Sequence, residues 1–220
     1  MGRLLNVVVT LHKMTKRDYL GRMNEDKAGC MEVARKYGKD YWDGDRRFGY
    51  GGYRYDGRWE AVAKELARIY SLPANAKILD VGCGKGFLLY ELKKILPASK
   101  ITGFDISKYA IENAKQEVKN CLFVHKAQDN YRFKDKEFDL VISLNTLHNI
   151  YINELNPALK EIERVGKNKY IVVESYRNDK ELFNLQCWVL TGRAFYKPEE
   201  WLWLFNEFGY TGDYEFIYFE

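Results

Sequence analysis

Between residues 75 and 175 the chain alternates short apolar runs with stretches whose apolar positions recur every three or four residues. Residues 77–81 predict a buried strand, and residues 86–96 a helix with Leu88, Leu89, Leu92, Ile95 and Leu96 at helical spacing. Residues 100–104 read as a second strand, after which Ser107 is placed to cap a helix bearing Ala110, Ile111, Ala114 and Val118 on one face. Residues 122–124 and 138–143 predict a third and a fourth strand. Asn156 and Pro157 read as the cap and first residue of a helix through Leu159 and Ile162, and residues 170–173 as a fifth strand. Strands alternating with helices predict a doubly wound α/β fold, its mostly parallel sheet covered on both faces. Ligands of such a fold bind just beyond the strand C-termini, so functional residues are expected there.

The flanks follow a different pattern. Residues 1–70 are polar, aromatic and glycine-punctuated, and predict an N-terminal helical and lid segment. Residues 71–220 are expected to form the ligand-binding domain, aromatic-rich again from about residue 176. Residues 41–59 gather Tyr50, Tyr53 and Tyr55 with Arg46, Arg47, Arg54 and Arg58 among many glycines. Exposing so many rings is unfavourable, so this stretch is expected to close over a ligand. Its tyrosines would then stand beside the acceptor, with Arg46 and Arg47 free to hold an anionic group bidentately. Asp56 is expected to cap the helix that carries Trp59, Val62, Leu66 and Ile69 on one face.

Composition narrows the classes. A hydrophobic share of 46% supplies a core, and no run approaches the roughly 18 apolar residues of a membrane span. The apolar residues Leu4, Leu5 and Val7 to Val9 are followed by Lys13, Lys16 and Arg17, not by a small-residue cleavage site, so a cytoplasmic location is expected. Cys30, Cys83, Cys121 and Cys187 lie far apart without a C-x-x-C pair, which argues against a zinc site or a disulfide framework. The net charge of +4 is too small to point to nucleic acid.

The chemistry sits where the fold would put it. Asp80 ends the first strand and opens Asp80-x-Gly82-x-Gly84-x-Gly86, whose glycines allow a tight turn and close approach of a ligand. A dinucleotide loop reads G-x-G-x-x-G and receives a pyrophosphate, which Asp80 would repel. A carboxylate attracts an ammonium or sulfonium group instead, and this favours S-adenosylmethionine over NAD. Asp105, 25 residues further on, can accept hydrogen bonds from both ribose hydroxyls. Ile106 is expected against the adenine, Gln128 and Asp129 near its amino group, and Asn145 beside the methionine end. Arg58, at the start of the helix that runs into the first strand, is expected near the cofactor's carboxylate. A local pair with Asp56 or Glu60 is the competing placement.

Together, the acidic glycine loop, Asp105, Asp129, and residues 138–143 with Leu147 and His148 resemble the successive motifs of class I S-adenosylmethionine-dependent methyltransferases of the type-11-like group. The resemblance covers about residues 70–175. It implies that Asp80 and its glycines hold the methionine end, Asp105 the ribose and Asp129 the adenine. His148 is the first candidate for a general base toward an acceptor hydroxyl, since imidazole titrates in the useful range, and Glu174 is the second.

The leading expectation is methyl transfer to an oxygen or nitrogen of a small polar acceptor, such as a sugar or an anionic metabolite. A nucleic-acid methyltransferase is the alternative, with the arginines and rings of residues 41–59 on phosphates and bases. Against it, Ser143-Leu-Asn145-Thr follows the fourth strand, where base-amino methyltransferases carry Asn/Asp-Pro-Pro-Tyr/Phe, and no cysteine stands there as a nucleophile. A non-catalytic domain that binds the cofactor as a sensor or partner is the third reading.

Overall fold

The computed structural model describes residues 2–13, 15–51 and 53–220. Four short helices lead the chain: α1 (Val9–Lys13), α2 (Tyr19–Asn24), α3 (Lys27–Ala34) and α4 (Lys39–Asp43), followed by α5 (Glu60–Ile69). The alternating region then runs β1 (Lys77–Val81), α6 (Phe87–Ile95), β2 (Lys100–Asp105), α7 (Lys108–Glu112), β3 (Leu122–Val124), β4 (Phe138–Leu144), α8 (Ile152–Val165) and β5 (Gly166–Glu174). It closes with α9 (Asp179–Trp188), α10 (Pro198–Glu207) and β6 (Asp213–Ile217). The six strands lie in the order β3-β2-β1-β4-β5-β6, and every pairing is parallel.

Alternate residues of each strand serve opposite faces, as the pleat requires. Ile78, Leu140, Ile142, Tyr170 and Val172 join the core under α5, α6 and α9, whereas Leu79, Val141, Ile171 and Val173 join the one under α8 and α10. Both sets are fully buried. All the β1 to β4 loops therefore open at one edge of the sheet.

Four local expectations need correction. The helix opened by Ser107 stops at Glu112, because the Lys115 N–H leaves it to bond Lys85 O in the glycine loop. Helix α8 starts four residues before Asn156. Its N-cap is Tyr151, whose N–H donates to the Glu154 carboxylate, and Pro157 lies inside the helix. Asp56 does not cap α5; it accepts from Arg58, and the N-cap Trp59 makes no side-chain bond. The sixth strand was not foreseen. Its Glu215 is buried and accepts the Val7, Val8 and Val9 N–H groups at 2.6, 2.9 and 2.6 Å, together with the Tyr170 hydroxyl. That carboxylate fastens the N-terminal segment to the sheet. Among the described residues no helix is long and apolar enough to cross a membrane.

Candidate active site

The glycine loop turns sharply after β1. Gly82 and Gly84 have φ of +82° and +54°, a region that costs residues with a Cβ. Space forbids a side chain as well: a Cβ on Gly82 would lie 2.0 Å from Thr146 Oγ1, and one on Gly84 2.8 Å from the Trp42 ring. The Gly84 and Ser107 N–H groups donate to opposite oxygens of Asp105, at 2.9 and 2.8 Å. Each oxygen keeps a lone pair for a hydroxyl. Asp80 is different. It is 4% exposed and gains nothing from any hydrogen bond, so burial, with Asp105 second, pushes its carboxyl up to about 7.

These groups open onto a cavity of about 510 Å³. At the β2–β3 side its wall includes Ile106, half exposed, with His125, Ala127 and Gln128. Gln128 Nε2 donates to Glu154 Oε1 at 3.1 Å, which leaves the amide oxygen of Gln128 as a free acceptor. Asp129 is a correction: it is exposed and outside the cavity wall, since the chain after β3 turns it outward beyond Gln128. Asn145 lines the wall at the end of β4 with φ of +55°.

The opposite side is built by β5, the C-terminal residues and the N-terminal segment. Glu174 and His148 both line it, with His148 Nε2 3.4 Å from Glu174 Oε2. His148 Nδ1 accepts the Glu174 N–H at 3.2 Å, so in the neutral ring the proton sits on Nε2 and faces the carboxyl group. Burial holds this imidazole down to about 3. The histidine therefore has no lone pair to offer an acceptor, which corrects its expected place as the base. Burial drives the Glu174 carboxyl up to about 8, opposed by the charge of Arg17.

Tyr37, Tyr41, Trp42, Tyr50, Gly51 and Tyr53 cover the cavity. Trp42 lies on Gly84 and its Nε1 donates to Ser107 Oγ at 2.8 Å, while Ser107 Oγ donates to Tyr37 O. Lys85 is buried and donates to Asp43 at 2.7 Å; the Tyr109 hydroxyl shares that carboxylate. Tyr50 and Tyr53 line the cavity, but the Tyr50 hydroxyl already accepts from Leu190 N and Thr191 N. Tyr55 does not line it: its hydroxyl donates to the buried Glu91 of α6. Arg46 and Arg47 are also corrections. Arg46 lies over Trp188 and Arg47 over Phe48, and neither reaches the cavity. Arg58 touches its rim but is paired with Asp56 at 2.5 Å.

The sequence reading missed three other arginines. Arg17, Arg35 and Arg193 line the cavity without an ion pair to any described carboxylate, and the Nε atoms of Arg17 and Arg35 are buried with no partner. They come from the α1–α2 junction, the C-terminus of α3 and the loop after α9, all remote from the motifs, and only the excess of basic residues between Lys13 and Arg17 hinted at one of them.

A parallel doubly wound sheet with an acidic glycine loop and a carboxylate at the end of β2 defines a class of cofactor-binding domain. Residues 72–209 match the family described as Methyltransferase domain, and the chain belongs to that family. It is 32% identical over 180 residues to the malonyl-acyl-carrier-protein O-methyltransferase of Bacillus cereus, covering 71% of this chain and 65% of that protein. It is 29% identical over 136 residues to the mitochondrial arginine-hydroxylase of Homo sapiens, covering 61% of this chain but 39% of that one. The matches thus span less than two thirds of these relatives. The fold is shared with the YcgJ protein of Bacillus subtilis (18% identity, TM-score 0.54, 66% of each chain). A Bacillus halodurans protein shares it too (20% identity, TM-score 0.54, 67% of this chain and 68% of that one).

The cofactor of this family is S-adenosylmethionine, and the residues present fit it. Asp80 is a buried carboxylate without a partner among the described residues, suited to an ammonium group, and Asp105 keeps two acceptors for a ribose. The glycine loop has no room for side chains.

Proposed function

We propose that this chain moves the methyl group of S-adenosylmethionine to an oxygen or nitrogen of a small polar acceptor, an anionic metabolite or a sugar. The observation that carries this reading is one continuous cavity, with the unpaired Asp80 at one side and the buried Glu174–His148 pair at the other. When bound, the cofactor supplies an electrophilic methyl group on a sulfonium. Asp80, Asp105 and Gln128 hold its methionine, ribose and adenine parts in this reading. Glu174, once ionised, takes the proton that an acceptor hydroxyl or amine releases as its lone pair bonds to the methyl carbon. His148 is a positioning residue that donates from Nε2 to that carboxylate and keeps it aimed. The rest of the rate comes from alignment and from excluding water.

Residues 41–59 serve as the lid in this reading, supported by the Trp42–Ser107 contact after β2 and the Asp43–Lys85 contact on the glycine loop. Opening that lid exposes the cofactor site, and the Arg58–Asp56 pair is free to separate when a cofactor carboxylate competes for Arg58. Hydrogen exchange with and without S-adenosylhomocysteine tests it: unchanged protection of residues 41–59 makes the segment a static wall.

The function is tested by incubating the protein with methyl-labelled cofactor and a small-molecule extract. Label in a low-molecular-weight product supports the proposal. Label confined to RNA or protein would move the acceptor to a macromolecule. Binding without any transfer would leave a cofactor-binding domain, a distinction that matters because one relative is named a hydroxylase.

A further inference from the structure

Arg17 is braced on the cavity wall. Its Nη1 donates to His12 O and Thr15 O at 3.2 and 3.0 Å. Its Nη2 lies 3.0 Å from His12 Nδ1. His12 Nε2 is 3.0 Å from Tyr218 O and must donate there, because a carbonyl only accepts. His12 Nδ1 is therefore the acceptor for Arg17, and burial keeps this imidazole neutral, lowered to about 4. Trp188 and Phe219 stack on the guanidinium at 5.6 and 5.2 Å. These contacts fix the group but do not neutralise it. Its Nε–H is buried without a partner among the described residues, the Tyr19 hydroxyl is a further neutral neighbour, and no described carboxylate is in ion-pair contact with it. A buried charge left so costs stability unless an anion arrives.

The cofactor's own carboxylate is the wrong anion. Tyr218 follows β6, and Glu174, whose charge Arg17 feels, ends β5. In the sheet order those strands are separated from β1 by β4, so Arg17 lies roughly 10 Å or more from Asp80 at the usual strand spacing. The ammonium and carboxylate of a methionine share one carbon. A carboxylate tied to Asp80 through its ammonium stays on the β1 side of the cavity, away from the β5 and β6 side where Arg17 lies.

We propose that Arg17 is the anchor for a carboxylate on the methyl acceptor, whose apolar body lies among Leu11, Trp188, Phe219 and Tyr50. The proposal rests on the methyl-transfer reading for the word acceptor, and on the cavity alone for the carboxylate site. A monoanion suits it, because the guanidinium carries a single charge with no described ion-pair partner and the Glu174 carboxyl is close by.

The test is calorimetry with phenylacetate and hexanoate against their neutral amides, with phenyl phosphate as a dianionic comparison, run with and without saturating S-adenosylhomocysteine. At least one acid should bind ten times more tightly than its amide, and phenyl phosphate more weakly than phenylacetate. Arg17→Gln should erase the preference for acid, Arg17→Lys should retain part of it, and both should hold S-adenosylhomocysteine within twofold of the parent. Equal binding of acid and amide, or no binding of either acid at millimolar concentration, overturns the proposal in the parent protein, without any variant having to fold. Tighter binding of phenyl phosphate makes the site one for phosphate and overturns it too. Loss of S-adenosylhomocysteine affinity in Arg17→Lys assigns the arginine to the cofactor. Failure of the parent to bind S-adenosylhomocysteine sinks the methyl-transfer reading alone, since the acid preference is read separately without it.

Discussion

At one side of the cavity the charged groups are Asp80 and Asp105, carried by adjacent strands, with Asp105 oriented by the N–H of Ser107 two residues on and by that of Gly84 in the loop that Asp80 opens. At the other side stand Arg17, His148 and Glu174, brought together from the first helices, the turn after β4 and the end of β5. The first side is acidic and locally encoded, and the second mixes a free guanidinium with a carboxyl group that burial keeps protonated at neutral pH. The difference teaches how one sheet can keep its donor and change its acceptor. Donor binding is written into strand ends, whereas the acceptor chamber depends on segments that can vary without disturbing the sheet.

The sharpest way to break this division is to remove Asp80. Asp80→Ala should weaken S-adenosylhomocysteine binding by ten- to a hundredfold, as a charge-assisted bond of roughly 1.5–3 kcal/mol is lost. In the parent, affinity should rise with pH toward about 7, because the free carboxyl must lose its proton before it can hold an ammonium. In the variant that rise should vanish. Calorimetry at pH 5.5 and 7.5 checks both; a pH-independent parent would mean that Asp80 does not meet the ammonium.

Glu174→Gln probes the other side through stability. Below pH 4.5 the carboxyl is protonated in both folded and unfolded chains. Between 4.5 and about 8 only the unfolded chain loses the proton, so ionisation favours unfolding and stability falls as pH rises. The amide removes this loss. The variant should therefore gain about 4 kcal/mol relative to the parent on going from pH 5 to pH 9, at roughly 1.4 kcal/mol per pH unit between the two pKa values. Thermal melts at the two pH values measure the difference, and Asp80 and His148 affect both proteins alike. A constant gap between the curves would mean that Glu174 is ionised in the fold at neutral pH.

The lid links the two sides, and its effect should be smaller. Asp43→Ala leaves the buried Lys85 without its carboxylate, but Asp43 itself is partly exposed, so screening limits the loss to about 1 kcal/mol. Hydrogen exchange should speed up in residues 37–55 and stay unchanged in β1 and β4. Faster exchange throughout the sheet would mean that these residues belong to the core.

How much could be read from the chain follows the same line. Strands β1 to β5 announce themselves because both their faces are apolar, and the glycine loop because its turn needs glycine. Strand β6 escapes because Asp213 and Glu215 break its pattern, although both are buried: Glu215 takes three N–H groups of the N-terminus, and Asp213 pairs with Arg3. The density of rings in residues 41–59 marks a covering segment, yet sequence spacing does not say which side chains point inward. Arg46, Arg47 and Tyr55 are engaged by Trp188, Phe48 and Glu91 and do not line the cavity, whereas Tyr37 and Trp42 face the site. Arg17 has no motif. Its place depends on Trp188 and Phe219, whose positions only the folded chain relates to it.

The smallest expected effect concerns neighbours in sequence, and it tests whether the donor side is read at the level of single residues. The resemblance to the methyltransferase motifs puts the adenine on Asp129, whereas the fold turns Asp129 into solvent and leaves Gln128 on the wall. Because Gln128 Nε2 is committed to Glu154, its oxygen is the group able to accept from the adenine amino group. A neutral hydrogen bond of about 1 kcal/mol predicts that Gln128→Ala weakens S-adenosylhomocysteine binding about fivefold, and Asp129→Ala less than twofold. S-inosylhomocysteine, in which a carbonyl replaces that amino group, separates recognition from general damage. The parent should prefer the adenine compound, Gln128→Ala should lose most of that preference, and Asp129→Ala should keep it. If Asp129→Ala loses the preference and Gln128→Ala retains it, the chain after β3 rearranges when the cofactor binds, and the family's motif outranks the geometry of the free cavity.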